Sequence, residues 1–329
     1  MNRKVTLREV ATQSGVSAAV VSAVLNGKTD KIRVSEEKRK LVLETAERLG
    51  YVPDISAQKL KTGDNHLIAT FTYENIFPVE SKTEFYDFFV GVQEEAERQG
   101  YDLIILNNWG RDTERTARLK IASGAVMIGV NRDVGHISSL VRQQFPLVFI
   151  GRRDIGVNLP LNCVLFDYRS GIERIIASLK PVLGNKGICY IKTDDATEHA
   201  VDKFNSITDI CSRENIPLDT IIYFDGGEDD ILSAIEDKGT VIFDRLFMIP
   251  VFAPLFEKSG LVPGINIFGA VLEDDWMGVN PYWTSWANRR RDLGALAVRN
   301  LISVLRGDEE PLENIVDLDL VVRKSSAPI

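Results

Sequence analysis

The first residues of functional interest are four small ones in a predicted helix and its cap: Ser17, Ala18, Ala19 and Ser22. Their hydroxyl groups can form hydrogen bonds, and their methyl groups can make apolar contacts. In DNA-binding motifs built from two helices, side chains at the beginning of the second helix enter the major groove. Alanine forms no hydrogen bond with a base, and at most its methyl group packs on a thymine methyl. Direct readout of bases should therefore be weak, with more of the specificity coming from the deformability of the DNA.

Two short helices joined by a glycine turn must position these groups. Thr6 can cap the first helix, because Glu9 three residues later completes a capping box. Gly15 ends that helix at a position where φ can be positive, and Ser17 can cap the second helix. Helical spacing predicts a third helix from Ser35 to Leu49. The pattern predicts a helix-turn-helix domain.

A further short helix is predicted over residues 54–62, between Pro53 and Gly63. A helix of this length is marginal by itself, so we expect it to form when two copies meet on DNA.

The charge of the chain divides at the same place. Residues 1–63 hold twelve Lys or Arg against seven Asp or Glu, a net charge of +5, whereas residues 64–329 hold 27 against 40, a net charge of −13. The overall charge of −8 hides this contrast. A basic head on an acidic body suits phosphate binding with little non-specific adhesion by the body.

Composition and motifs exclude several classes of protein. No apolar run reaches the length of about 18 residues that spans a bilayer, and MNRKVTLREV lacks the features of a secretory signal, so a cytoplasmic protein with no membrane partner is expected. The three cysteines (Cys163, Cys189 and Cys211) lack the spacing of metal ligands, and we expect reduced, buried thiols and no metal or cofactor. No P-loop, nucleophile elbow, H-E-x-x-H or dinucleotide-binding motif is present. We therefore expect no enzyme and no catalytic residues.

The body alternates short apolar runs with amphipathic helices from Leu67 onward. The runs that favour strands are LIATFTY, YDLIIL, AVMIGV, LVFIG, CVLFD, GICYIK, TIIYFD, TVIFD and INIFGA, and the clearest helix is TEFYDFFVGVQEEAERQG. Strands buried on both faces and alternating with helices indicate doubly wound parallel sheets. So many strands favour two α/β subdomains with a ligand cleft between them.

The stretches TLREVATQSGVSAAVVSAVLNGK and RVSEEKRKLVLETAERLGYVPDISAQKL resemble the headpiece and hinge of the LacI/GalR (lactose-repressor) family of bacterial transcription regulators, and LDLVVRKSSAPI resembles the end of its members. The resemblance implies a headpiece with hinge helix over residues 1–63 and a periplasmic-binding-protein-like body over residues 64–329. Its subdomains should span about 64–162 with 289–317 and about 163–288 with 318–329, with crossings near Asn162, Asn288 and Asp317.

The resemblance also implies a function. The chain should be a sequence-specific DNA-binding regulator, a repressor that binds a near-palindromic double-stranded operator as a homodimer, located at the nucleoid when bound. Phosphate contacts would come from Thr6, Ser17, Ser22 and Asn26, and the base-facing positions would include Ala18, Ala19 and Ala23, where much of the family carries larger polar or basic groups. In the hinge, Leu60 would wedge into the minor groove, with Ala57 one turn earlier.

A small-molecule effector, sugar-like or another metabolite, is expected in the cleft. Lys203 stands where sugar-binding members usually place an arginine, and Arg245-Leu246 replaces an Asn-Asp pair. The predicted effector-binding residues are Tyr73, Phe77, Phe85, Arg152, Asp167, Lys203, Arg245, Asp275 and Trp286, although Phe85 could be core and Asp275 a solvated acid. The departures leave open a regulator without a conventional sugar effector, and a solute-binding module is a further alternative.

Overall fold

The computed structural model describes residues 5–25, 34–52, 64–72, 84–107, 118–129, 134–156, 158–308 and 313–326. The chain divides into two compact units, Met1–Asn65 and His66–Ile329. Within the described ranges, no helix has the length and apolar character needed to cross a membrane.

The first unit contains the three predicted helices, α1 (Leu7–Ser14), α2 (Ala18–Leu25) and α3 (Glu36–Leu49). The capping box is present, since the Glu9 amide donates to Thr6 Oγ1 (3.3 Å) and the Thr6 amide donates to Glu9 Oε2 (2.8 Å). Gly15 has a φ of 67° and ends α1 in the left-handed region, which glycine adopts without a steric penalty. These local signals confirm the helix-turn-helix.

Valines hold the three helices together. Val10, Val21 and Val42 come from α1, α2 and α3 respectively, and none has any exposed surface (0%). They share one apolar cluster, so a single small core fixes the angle between the helices. The helix predicted over residues 54–62 lies outside the described residues.

The second unit contains two six-stranded sheets. The first has the order β11-β5-β4-β3-β1-β2 and consists of β1 (Leu67–Thr72), β2 (Asp102–Asn107), β3 (Gly124–Met127), β4 (Leu147–Ile150), β5 (Asn162–Phe166) and β11 (Ile315–Val316). The second has the order β12-β10-β9-β8-β6-β7 and consists of β6 (Ile188–Lys192), β7 (Leu218–Ile222), β8 (Thr240–Phe243), β9 (Phe268–Asp274), β10 (Thr284–Trp286) and β12 (Leu320–Val321). All pairs are parallel except β10 with β12, so the expected doubly wound architecture is confirmed.

Helices cover both sheets. They are α4 (Tyr86–Arg98), α5 (Val134–Arg142), α6 (Tyr168–Leu179), α7 (Glu198–Arg213), α8 (Glu228–Lys238), α9 (Met248–Lys258) and α10 (Arg290–Arg306), with a 3-10 helix at Arg118–Ile121. The first sheet with α4, α5 and α10 forms the first subdomain, and the second sheet with α6 to α9 forms the second.

The chain leaves the first sheet later than the sequence predicted. Because β5 pairs with β4 through Val148 and Asn162, the strand that begins at Asn162 belongs to the first sheet. The crossing therefore follows Phe166 instead of lying near Asn162. A strand buried in either sheet has the same composition, so its sheet could not be read from the sequence.

Candidate functional site

The first candidate site is the outward face of α2, which we call the α2 surface and define as Ser17, Ala18, Ala19 and Ser22. The first three of these residues are exposed and Ser22 is half-buried. The Ser17 hydroxyl accepts a hydrogen bond from the Val20 amide (3.3 Å) and so caps α2. The structure thus brings together the side chains that the sequence placed at the start of the second helix.

Of the other predicted DNA contacts, Ala23 is a correction, because it is buried on α2 and only 7% exposed. The Thr6 hydroxyl donates to Glu9 Oε2 (3.1 Å) within the capping box of α1, and its contact with phosphate stays a prediction. Asn26, Ala57 and Leu60 lie outside the described residues, and their roles stay predictions.

The second candidate site is a cavity of about 400 Å³ between the two subdomains. The predicted residues that line it are Phe85, Arg152, Asp167, Lys203, Arg245 and Trp286. Tyr73 and Phe77 lie outside the described residues. Asp275 is a correction, because it is not among the lining residues and its carboxylate accepts from the amides of Val279 (2.9 Å) and Asn280 (3.2 Å) in the turn after β9.

Ion pairs cross the cavity from one subdomain to the other. Arg245, which follows β8, donates to Glu84 Oε2 (3.1 Å), which precedes α4. Arg290, at the start of α10, donates through Nε to both oxygens of Asp274 (2.9 and 3.0 Å) at the end of β9. Glu273 lies between the two arginines, 3.6 Å from Arg245 Nε and 3.3 Å from Arg290 Nη2.

This network sets the charge states on the cavity wall. Burial by itself raises the pKa of Glu273, but Arg245 and Arg290, together with Lys203 and the Leu246 amide, outweigh burial and hold that pKa below its ordinary value. Burial raises the pKa of Asp274 above its ordinary value despite the pairing with Arg290. Burial also lowers the pKa of His199 to about 4, helped by Lys203 and Arg245, so its imidazole is neutral near neutral pH.

A second bridge lies at the rim of the cavity. Arg152, which follows β4, donates through Nε (3.0 Å) and Nη2 (2.7 Å) to the carboxylate of Asp202 on α7. The side chains remain 45% and 34% exposed. The fork geometry suits a carboxylate, and water can still reach the pair.

Lys203 reaches the cavity wall, but its ammonium is bonded within the protein. Its Nζ lies 2.7 Å from Asp244 Oδ1, and it also donates to the backbone oxygen of Asp244 (2.9 Å). The Tyr190 hydroxyl donates to the same Asp244 oxygen (2.8 Å). Lys203 and Asp244 are only 3% and 1% exposed, so Lys203 forms a buried ion pair beneath the cavity.

Aromatic groups form one part of the apolar wall, beside aliphatic side chains. Tyr168 and Trp286 pack with their ring centroids 5.8 Å apart, and burial raises the pKa of Tyr168. The Trp286 indole lies over Gly171, where a Cβ would come within 2.9 Å of Nε1. Asp167 accepts hydrogen bonds from the amide (3.0 Å) and hydroxyl (2.6 Å) of Ser170, so it caps α6.

Sequence reasoning missed four charged residues of the network: Glu84, Glu273, Asp274 and Arg290. The run LEDDWM indicated acidic residues near the end of β9, but Asp275 was predicted in place of Glu273 and Asp274. The sequence does not fix the last residue of a strand, so it could not show which acid faces the cavity. Glu84 and Arg290 are far apart in sequence, with no local signal to link them. Among the described residues, no group of three or more His, Cys, Asp or Glu could hold a metal ion.

Comparison with known proteins covers both units. Residues 6–54 match the family model described as bacterial regulatory proteins, lacI family. The chain is 25% identical to the HTH-type transcriptional regulator PtxS of Pseudomonas putida, over 99% of this chain and 97% of that protein.

Two solved structures share the fold over nearly the whole chain. A Lac repressor dimer bound to operator and the anti-inducer ONPF gives a TM-score of 0.70 at 20% identity, covering 99% of this chain and 100% of that one. A complex of the transcriptional regulator CelR with cellobiose gives a TM-score of 0.63 at 21% identity, covering 98% of this chain and 100% of that one.

Proposed function

The chain belongs to the LacI family of bacterial regulatory proteins, and on that premise we propose that it is a sequence-specific DNA-binding transcription regulator that acts as a repressor. The observation that carries this proposal is the capped helix-turn-helix whose second helix exposes Ser17, Ala18 and Ala19. The net charge of +5 over residues 1–63 supports binding to phosphates.

The operator should be near-palindromic and bound by a homodimer. One helix-turn-helix reads one half-site, and a two-fold protein dimer matches a two-fold site. The Lac repressor structure with the same fold is a dimer bound to operator. We place the protein in the cytoplasm, at the nucleoid when bound to DNA, and assign it no enzymatic activity, in line with relatives that are transcriptional regulators.

The cavity between the subdomains is the proposed effector site. Its aromatic wall and charged rim suit a small polar molecule with one apolar face. A ligand that changes the relative position of the subdomains would couple the cavity to DNA binding. The CelR structure contains cellobiose, so a sugar-like metabolite is the first class to test.

A regulator without a conventional sugar effector is the second candidate. The observation that favours it is that Lys203 and Arg245, two of the cationic groups on the wall, are already paired with Asp244 and Glu84. A neutral sugar would have to compete with these carboxylates for the same donors.

The test is selection of binding sites from fragmented bacterial DNA at physiological salt, with and without pools of sugars and nucleosides. We expect a short near-palindromic site to be enriched, and one pool to release or strengthen it. Ala19→Glu should abolish enrichment by repelling phosphates, whereas Ala177→Glu, at an exposed position of α6, should not. Failure of the unmodified chain to enrich any site would refute the proposal.

A further inference from the structure

The α2 surface has an unusual chemical property for a surface that reads DNA. The whole of α2 is AAVVSAVL, with no charged residue and no amide side chain. Val21, Ala23 and Val24 face the core and are at most 7% exposed. Val20 and Leu25 are half-buried and pack against the same core. The exposed groups at the start of α2 are therefore the methyls of Ala18 and Ala19 and the hydroxyl of Ser17, with the half-buried Ser22 beside them.

We propose that Ala18 and Ala19 make the chain select half-sites in which thymine methyl groups face the α2 surface. This inference rests on the proposed function, because it assumes that α2 enters the major groove. It assigns to the two alanines a positive role in specificity, in place of the weak readout expected from their lack of hydrogen bonds.

The chemistry of the major groove leaves thymine as the base that these residues favour. Guanine presents two acceptors that suit a forked donor such as arginine, adenine suits asparagine or glutamine, and cytosine presents a donor that suits a carboxylate. None of these side chains occurs on α2. Thymine alone among the four presents a methyl group there, and apolar contact with alanine is a recognised way to read it.

The local structure helps this contact. Ala18 and Ala19 occupy the first turn of α2, next to the cap formed by Ser17, and both are exposed. Because no long side chain projects from this turn, the helix can approach the groove closely. The hydroxyl groups beside the methyls can bond to any base or to phosphate, so discrimination between bases falls to the methyl groups.

The experiment uses the full-length chain and the near-palindromic site recovered by selection. Each thymine that faces α2 is replaced by deoxyuridine, which removes only the C5-methyl group, and affinity is measured by titration at fixed salt. Burial of one methyl group predicts binding weaker by about fourfold for each methyl removed, and by about fifteenfold when one such methyl is removed from each half-site. Deoxyuridine at thymines in the flanks should leave affinity unchanged.

A protein variant provides the reciprocal test. Ala19→Gln keeps a good helix former and adds an amide that can pair with adenine. We expect the selected base at the facing position to change from thymine to adenine, and the effect of deoxyuridine there to disappear.

Three outcomes are distinguishable. Enrichment of thymine at the facing positions with the expected loss on demethylation supports the inference. Enrichment of guanine or cytosine there, or unchanged affinity with deoxyuridine, overturns it while leaving the regulator intact. Failure to enrich any sequence overturns the proposed function itself.

Discussion

Removal of the Lys203 side chain should reveal how much the buried pair beneath the cavity matters. In Lys203→Met, the carboxylate of Asp244, which is 1% exposed, loses its counter-charge at 2.7 Å. Breaking a buried ion pair on one side costs about 3–5 kcal/mol of unfolding free energy. Because the Tyr190 hydroxyl still donates to Asp244 (2.8 Å), we expect about 3 kcal/mol, the lower end of that range.

The chain offers a matched control in Lys186, which pairs with Asp237 at a similar distance of 2.8 Å but with side chains 62% and 66% exposed. Lys186→Met should change stability little, because water already solvates both charges. The double variant Lys203→Met with Asp244→Asn removes both buried charges and should be more stable than Lys203→Met alone.

Urea unfolding followed by tryptophan fluorescence measures these differences, since Trp276, Trp283 and Trp286 all lie in the second unit. The denaturant slope must stay unchanged for the comparison to hold. Equal losses in Lys203→Met and Lys186→Met would refute the reasoning, as would a double variant that is no more stable than the single one.

Three further results are expected. Gly91→Ala should lower the Tm of the second unit, because an added Cβ would overlap the backbone oxygen of Arg291. Gly184→Ala should leave the Tm unchanged, because a Cβ there meets open space. Equal Tm values for the two variants would contradict the close contact of α4 with α10. Burial lowers the pKa of His199 from 6.5 to about 4, so the unfolded chain is protonated first and the free energy of unfolding should fall as the pH drops from 6.5 to about 4. In urea titrations, His199→Gln should show a weaker dependence of this free energy on pH, and an unchanged dependence would reject this role. Arg152→Met removes the ion pair with Asp202, whose side chains are 45% and 34% exposed, so the Tm should fall only slightly, and by nothing measurable at high salt. A large loss of Tm that persists at high salt would contradict solvent screening of this pair.

Local signals in the sequence were sufficient for the three described helices of the first unit. Thr6 with Glu9, Gly15 and Ser17 act within four residues of their partners, and their roles as caps and turn appear in the structure as predicted. The short apolar runs of the body also indicated the parallel α/β class correctly, because burial on both faces leaves a visible composition. Local geometry depends on neighbours in sequence, so the sequence could be read directly there.

The cavity depended on tertiary structure. Lys203 was predicted as an effector ligand, and the fold places its ammonium on Asp244 and brings Tyr190 to the same carboxylate. Arg245 was expected to face a ligand, and it meets Glu84 from the other subdomain. Which charges meet is decided by sheet order and by the packing of the two subdomains.

The sequence alone thus determined the helix-turn-helix, the division of charge and the class of the body, because caps, turns and periodicity act over a few residues. Only the tertiary structure shows that β5 belongs to the first sheet, that Asp275 lies outside the cavity wall and that Arg290 lies in it. These outcomes rest on contacts between residues distant in the chain. Residues far apart in the chain become neighbours only when the sheets and helices pack, so no local sequence pattern predicts these contacts.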